Sequence, residues 1–209
     1  MLVLASASPR RKELLRNAGV EFLVHPANVP EVPRVGELPR PFAERMAREK
    51  ALAVFEQRPN DLILGADTVV VVNGEILGKP RDEEDAARML TLLSGRKHEV
   101  ITGVCLIRPQ GLKPSAGGLD GTAKAVPFHG APGGSATDVR SEITTVTMNA
   151  LGEEDIRAYV ASGEPMDKAG AYAIQGMASR WISRIEGDYF NVVGLPVALV
   201  TRMLKESRG

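Results

Sequence analysis

The sequence predicts an α/β fold, and three stretches carry that prediction. An apolar run, Met1-Leu2-Val3-Leu4-Ala5, leads straight into a helical pattern. Residues 41–57 hold a long apolar stripe at helical spacing. Residues 61–77 hold two apolar runs and an Asn-Gly turn, as a hairpin of buried strands does.

The first helix is expected over residues 9–18. Ser8 suits the cap position, where its hydroxyl accepts from a free amide of the first turn. Pro9 fits the first helical position, and Gly19 ends the run. Leu14, Leu15 and Ala18 form the apolar face. Glu21-Phe22-Leu23-Val24 reads as a short strand, and residues 26–41, rich in proline, as an extended loop carrying Glu31.

The helix at 41–57 has Phe42, Met46, Ala53 and Val54 on one stripe, flanked by Ala43, Ala47 and Ala51. Lys50 falls on that stripe. A lysine there either snorkels to water or reaches an anion. In the next stretch Leu62-Ile63-Leu64 and Val69-Val70-Val71-Val72 read as strand, with Gly65-Ala66-Asp67-Thr68 between them. Asp67 is therefore expected at a kink between buried β segments. It is either a turn former bonded to its own backbone or a buried carboxylate that needs a partner or a metal. Asn73-Gly74 predicts a two-residue hairpin turn, with residues 75–77 pairing back.

Asp82 can cap a helix over 83–93, which Ser94-Gly95 ends. Residues 98–107 read as strand; Cys105 there reads as core packing rather than a nucleophile. Residues 108–138 are rich in glycine, proline, serine and alanine and read as a long mobile surface loop. Residues 139–148 alternate as a strand, joined to the previous one as an elongated hairpin. A helix at 153–161, a glycine-punctuated loop at 164–176, a strand at 181–185, a turn at Gly187-Asp188 and a last helix at 196–205 complete the chain.

Lys plus Arg balance Asp plus Glu at 26 each over 209 residues, so the formal net charge is zero. Broad binding to nucleic acid or acidic membranes is not expected, and any anion site must be local. One cysteine excludes an intrachain disulfide and fits a reducing compartment. The short N-terminal apolar run has no positive residues ahead of it and does not read as a signal peptide. No apolar stretch approaches the roughly 20 residues of a membrane helix. A cytoplasmic protein is expected. The sequence has no internal repeat, and neither zinc-ligand spacing nor a Gly-x-x-x-x-Gly-Lys loop.

Ser6-Ala7-Ser8-Pro9-Arg10-Arg11 gathers hydroxyls, free amides and two guanidiniums at the positive end of a helix, with no acid within the stretch. A solvated basic helix start is one reading; an anion site, with phosphate the best fit, is the other. Together with Lys50, Lys79, Glu31 and Asp67 the inventory suits triphosphate chemistry. Cations neutralise phosphates, a carboxylate pair holds a hard cation, and a carboxylate activates water.

Five blocks then carry a resemblance: Ser6 to Arg11, Gly65-Ala66-Asp67-Thr68, Gly78-Lys79-Pro80, Asp167-Lys168-Ala169-Gly170-Ala171-Tyr172 and Asn191-Val192-Val193-Gly194-Leu195-Pro196. In this order, spread over nearly the whole chain, they resemble the Maf family of nucleoside triphosphate pyrophosphatases. The resemblance implies a single domain over 1–209 with a loop insertion at about 108–138. It implies a two-lobed α/β fold, similar to that of inosine triphosphate pyrophosphatases, with an elongated mixed sheet and a central cleft. It implies attack of water on the α-phosphorus and release of pyrophosphate. It further implies Asp67 as proton acceptor, and Ser8, Arg10, Arg11, Lys50 and Lys79 as phosphate contacts. Glu31 with Asp67 would bind a divalent cation (Mg²⁺, Mn²⁺ or Co²⁺). Arg10, Thr68 and Gln175 match positions associated with substrate choice.

Tyr172-Ala173-Ile174-Gln175-Gly176 looks like the subfamily acting on dTTP and UTP; modified pyrimidine nucleotides are further expected substrates. An amide at Gln175 both donates and accepts, as uracil and thymine require. Two departures stand out: residues 108–138 are longer than usual in the family, and Met177-Ala178 replaces a common Gly-Ala. The family also implies a homodimer. The alternative is a non-catalytic, nucleotide-sensing regulator of cell division acting through a protein partner.

Overall fold

The computed structural model describes residues 1–109 and 136–208. Most of the predicted mobile loop at 108–138 lies outside the described residues. The strands on either side of it run to Arg108 and begin again at Ala136.

Seven strands form one mixed sheet flanked by helices, as the α/β prediction requires. They are β1 (Leu2–Leu4), β2 (Leu23–Val24), β3 (Leu62–Val72), β4 (Glu75–Leu77), β5 (Lys97–Arg108), β6 (Ala136–Met148) and β7 (Ile182–Glu186). The order is β2-β1-β3-β5-β6-β7, with β4 paired to β3. β1 is parallel to β2 and β3, with Leu2 opposite Leu62 and Leu4 opposite Leu64. β3–β4 and β6–β7 are antiparallel. The helices are α1 (Pro9–Asn17), α2 (Pro39–Phe55), α3 (Glu83–Leu93), α4 (Glu153–Ala161), α5 (Tyr189–Val193) and α6 (Val197–Arg208).

By contact the chain divides into two units. The first comprises Met1–Asp67, Gly103–Ser141 and Leu195–Gly209, and the second Thr68–Thr102 and Glu142–Gly194. The first has a core of Val3, Ala5, Ile63, Cys105 and Ile107 against Ala47, Ala51, Val54 and Phe55 of α2. Burial pushes the Cys105 thiol far up, so it is an inert core residue, as predicted. The second packs Ala86, Met89, Leu90 and Leu93 of α3 and Ile156, Tyr159 and Val160 of α4 around Val70, Val72, Val100, Val146 and Trp181.

Several boundaries moved for identifiable reasons. α2 starts at Pro39, two residues before the predicted start, because Pro39 and Pro41 both fall in the first turn, where no intrahelical N–H bond is lost. The expected kink at Asp67 is absent. β3 runs unbroken for 11 residues, tied to β1 at Leu62–Leu64, to β4 at Val70–Val72 and to β5 as its further neighbour in the sheet. Asn73 (φ 51°) and Gly74 (φ 80°) make the predicted tight turn. The loop at 164–176 contains two short 3₁₀ turns, Glu164–Asp167 and Ala169–Ala171, and a third, Met177–Trp181, follows it. The turn at Asp188 opens a helix that the sequence reading lacked: the Asp188 carboxylate accepts from the amides of Phe190 and Asn191 and caps α5.

Candidate active site

In the first unit the site is built on α2 lying unusually close to β3. A Cβ at Gly65 would stand 2.2 Å from the Ala47 carbonyl oxygen and 2.9 Å from the Ala51 Cβ. A glycine facing a run of alanines therefore lets helix and strand approach. Side chains alternate along a strand, so Asp67 leaves β3 on the same face as Gly65, toward α2. There the Lys50 ammonium donates to Asp67 Oδ1 at 2.6 Å and to Glu31 Oε1 at 2.5 Å. Lys50 is 7% exposed and Asp67 5%. Of the two readings open for Lys50, the anion partner is the one realised.

Glu31 arrives from the loop ahead of α2, and Arg45 straps that loop down. Arg45 donates through Nε and Nη2 to both Glu37 carboxylate oxygens at 2.6 Å, and through Nη2 to the Val32 carbonyl at 3.0 Å. This bidentate pair holds the Glu37 carboxyl at about 2, well below the usual range.

The predicted cap of α1 is present. Ser8 Oγ accepts from the Arg11 amide at 3.4 Å, and Ser6 Oγ accepts from Arg11 Nη1 and the Ser8 amide, each at 3.2 Å. Arg11 is buried, and burial pushes its guanidinium down while Asp67 and Glu31 pull it back up. The acids missing from the first turn of α1 are thus supplied by tertiary structure. Parallel pairing of β1 with β3 sets Ser6 and the start of α1 beside the Gly65–Asp67 part of β3. Sites of open α/β sheets commonly form at such carboxyl ends. Burial pushes the Asp67 carboxyl up; Lys50 and Arg11 act against it, and Glu31 with it. Ser8, Arg11, Glu31, Lys50 and Asp67 are therefore one cluster, with Arg10 next to Arg11 in the same first turn.

The remaining predicted residues belong to the second unit. The Thr68 hydroxyl lies 2.9 Å from that of Thr102 and donates to the Gly194 carbonyl at 3.4 Å. Lys79 is exposed just after β4, and Gln175 is exposed on the turn closed by the Gly176 amide on the Ala173 carbonyl. Sequence reasoning gave Asn191 no role. Its side-chain amide donates to the Val100 carbonyl at 2.9 Å and to Thr144 Oγ1 at 3.0 Å, and its backbone carbonyl accepts from the Thr102 hydroxyl. This fixes α5 and, through Thr102, the hydroxyl of Thr68. The Asp188-x-x-Asn191 spacing of a capped turn was the available signal.

The chain matches the family model described as Maf-like protein over residues 1–207. It belongs to the Maf family. Maf relatives named dTTP/UTP pyrophosphatase align over nearly its whole length. The one from Koribacter versatilis is 51% identical over 99% of this chain and 94% of its own. That from Geobacter sulfurreducens is 49% identical over 98% and 95%, and that from Syntrophomonas wolfei 47% over 96% and 94%.

Among the described residues no three His, Cys, Asp or Glu side chains gather as a metal site. Glu31 and Asp67 nevertheless fit a divalent cation of the Mg²⁺ kind. They are hard oxygen donors already converging on one positive charge, and such ions are commonly held by one or two carboxylates plus substrate phosphates. No helix among the described residues is long and apolar enough to cross a membrane.

Proposed function

We propose that this Maf protein hydrolyses nucleoside triphosphates, dTTP and UTP foremost, to the monophosphate and pyrophosphate. The observation that carries the reading is the buried Asp67 carboxylate, held at 2.6 Å by Lys50, which also bonds Glu31. Relatives sharing about half of its residues bear the name of that activity.

In this reading Asp67 takes the proton of a water that attacks the α-phosphorus, and the bond to the bridging oxygen of the leaving pyrophosphate breaks. Burial and the flanking Lys50 and Arg11 set how readily Asp67 accepts that proton. Ser8, Arg10, Arg11, Lys50 and Lys79 are the proposed phosphate contacts. Buried Arg11 is preset by its bond to Ser6, so little ordering remains when phosphate binds. A divalent cation (Mg²⁺, Mn²⁺ or Co²⁺) held by Glu31 and Asp67 would neutralise phosphate charge and make water more acidic. Arg10, Thr68 and Gln175 are the proposed determinants of substrate choice. The Gln175 amide offers a donor and an acceptor to the edge of a uracil or thymine ring.

A panel of canonical and modified triphosphates with each of the three ions tests this, with pyrophosphate and orthophosphate assayed separately. Pyrophosphate as first product, fastest from dTTP and UTP, is expected. Orthophosphate first would sink the reading.

A further inference from the structure

The turn that carries Gln175 is held from below by groups to which no role has been given. Gln175 occupies the turn Ala173–Gly176, closed by the Gly176 amide on the Ala173 carbonyl at 3.1 Å. On one side of it, the Ala173 amide donates to Tyr159 Oη at 3.1 Å. On the other, the Met177 amide donates to both Glu164 oxygens, at 3.1 and 3.2 Å. The two anchors are joined, because Tyr159 Oη donates to Glu164 Oε1 at 2.8 Å. Tyr159 is itself fully buried on α4, edge-on to Trp181. The strap thus runs from the packed core of the second unit to both ends of the turn. Gly176 completes it: a Cβ there would stand 2.1 Å from Glu164 Oε1, so the carboxylate fits beneath the turn only because residue 176 has no side chain.

We propose that Glu164, with Tyr159, is a positioning residue that fixes the Gln175 turn and thereby sets discrimination between uracil-type and cytosine bases. The inference rests on the reading of Gln175 as a base contact. An amide presents a donor on one side and an acceptor on the other, and turned over it matches cytosine as well as uracil. Selection between the two therefore depends on holding the amide in one place against the base edge. An exposed glutamine on a slack turn cannot do that. On a turn anchored at one end to a buried tyrosine and at the other to the carboxylate which that tyrosine holds, it can. Strong discrimination requires polar groups that stay unpaired with the wrong substrate, hence groups that do not move to suit it.

The test is the ratio of kcat/KM for UTP over CTP in the full chain. Glu164→Gln weakens the double acceptor, and Tyr159→Phe removes only the hydroxyl. Gly176→Ala pushes the carboxylate out. Each is expected to lower the ratio at least about tenfold, a change within what one lost polar contact gives. In a Gln175→Ala background the same changes should lower it no further, because residues acting through one another are not additive. A purely structural role would reduce both nucleotides alike and add to Gln175→Ala. Three variants acting on one strap keep the test alive should one of them fail to fold. If Gln175→Ala lowers the ratio but neither Glu164→Gln, Tyr159→Phe nor Gly176→Ala does, the strap is overturned and the Gln175 reading stands. If Gln175→Ala itself leaves the ratio unchanged, both fall.

Discussion

Asp67 and Lys50 form a buried pair in which each makes the other tolerable. An isolated buried carboxylate is pushed up by desolvation, and the ammonium at 2.6 Å opposes that push. The proposed role of Asp67 as base requires its ionised form, so activity should fall as pH drops through the Asp67 value, which lies above the ordinary 3.8. Lys50→Met should move the acid limb of kcat/KM to higher pH, measured as a pH–rate profile. Breaking a buried pair should also cost about 3 kcal/mol of stability in urea unfolding. His98 supplies an independent pH effect. It is 3% exposed with Nε2 at 2.7 Å from Tyr172 Oη, and burial holds it at about 4 instead of 6.5. Below pH 6.5 the unfolded chain takes up a proton that the folded one refuses, so stability falls as pH drops from 6.5 towards 4. The loss approaches about 3 kcal/mol. His98→Gln should flatten that part of a stability–pH curve. At this scale the sequence was legible where chemistry is local: the Ser8 cap, the paired arginines and the odd carboxylate in an apolar run. Glu31 carried no such signal. Its proximity to Lys50, nineteen positions away, exists only once the proline-rich loop has closed back on α2.

The elements place these side chains through close approach and strapping. Gly65→Ala would drive a methyl into the Ala47 carbonyl, which as backbone of a packed helix cannot swing aside. About 1–3 kcal/mol of stability should be lost. Activity should fall further than stability predicts, because α2 moves away from Asp67 and carries Lys50 with it. The loop holding Glu31 depends on Arg45. Arg45→Met should leave the core folded while hastening limited proteolysis within residues 26–38, read by mass spectrometry of the fragments. Helix and strand order was legible because periodicity, caps and the Asn73-Gly74 turn are local. The kink predicted at Asp67 failed because β3 is held before it by β1, after it by β4, and has β5 as a further neighbour, and this tertiary pairing overrides the local tendency of Gly-Ala-Asp to turn. α5 was missed because five residues are too few to show a period.

At the scale of the whole molecule, each unit carries its own apolar core, one around Ile63 and Cys105 and the other around α3 and α4. Two of the five quoted blocks fall at the chain's passages from one unit to the other: Asp67 ends a segment of the first and Thr68 begins the second, while Gly194 and Leu195 mark the return. Sequence periodicity could not divide the chain this way, because each unit is assembled from segments far apart in the sequence. Family membership was legible because the blocks keep their order over nearly the full length, and the match over residues 1–207 agrees with it. The central claim concerns Asp67, and Asp67→Asn tests it most directly, since the amide is of equal size and cannot take a proton. With UTP and a divalent cation, pyrophosphate release should fall by about 10²–10⁴-fold, while calorimetry still detects nucleotide binding. Turnover near the wild-type rate in that variant would contradict the account.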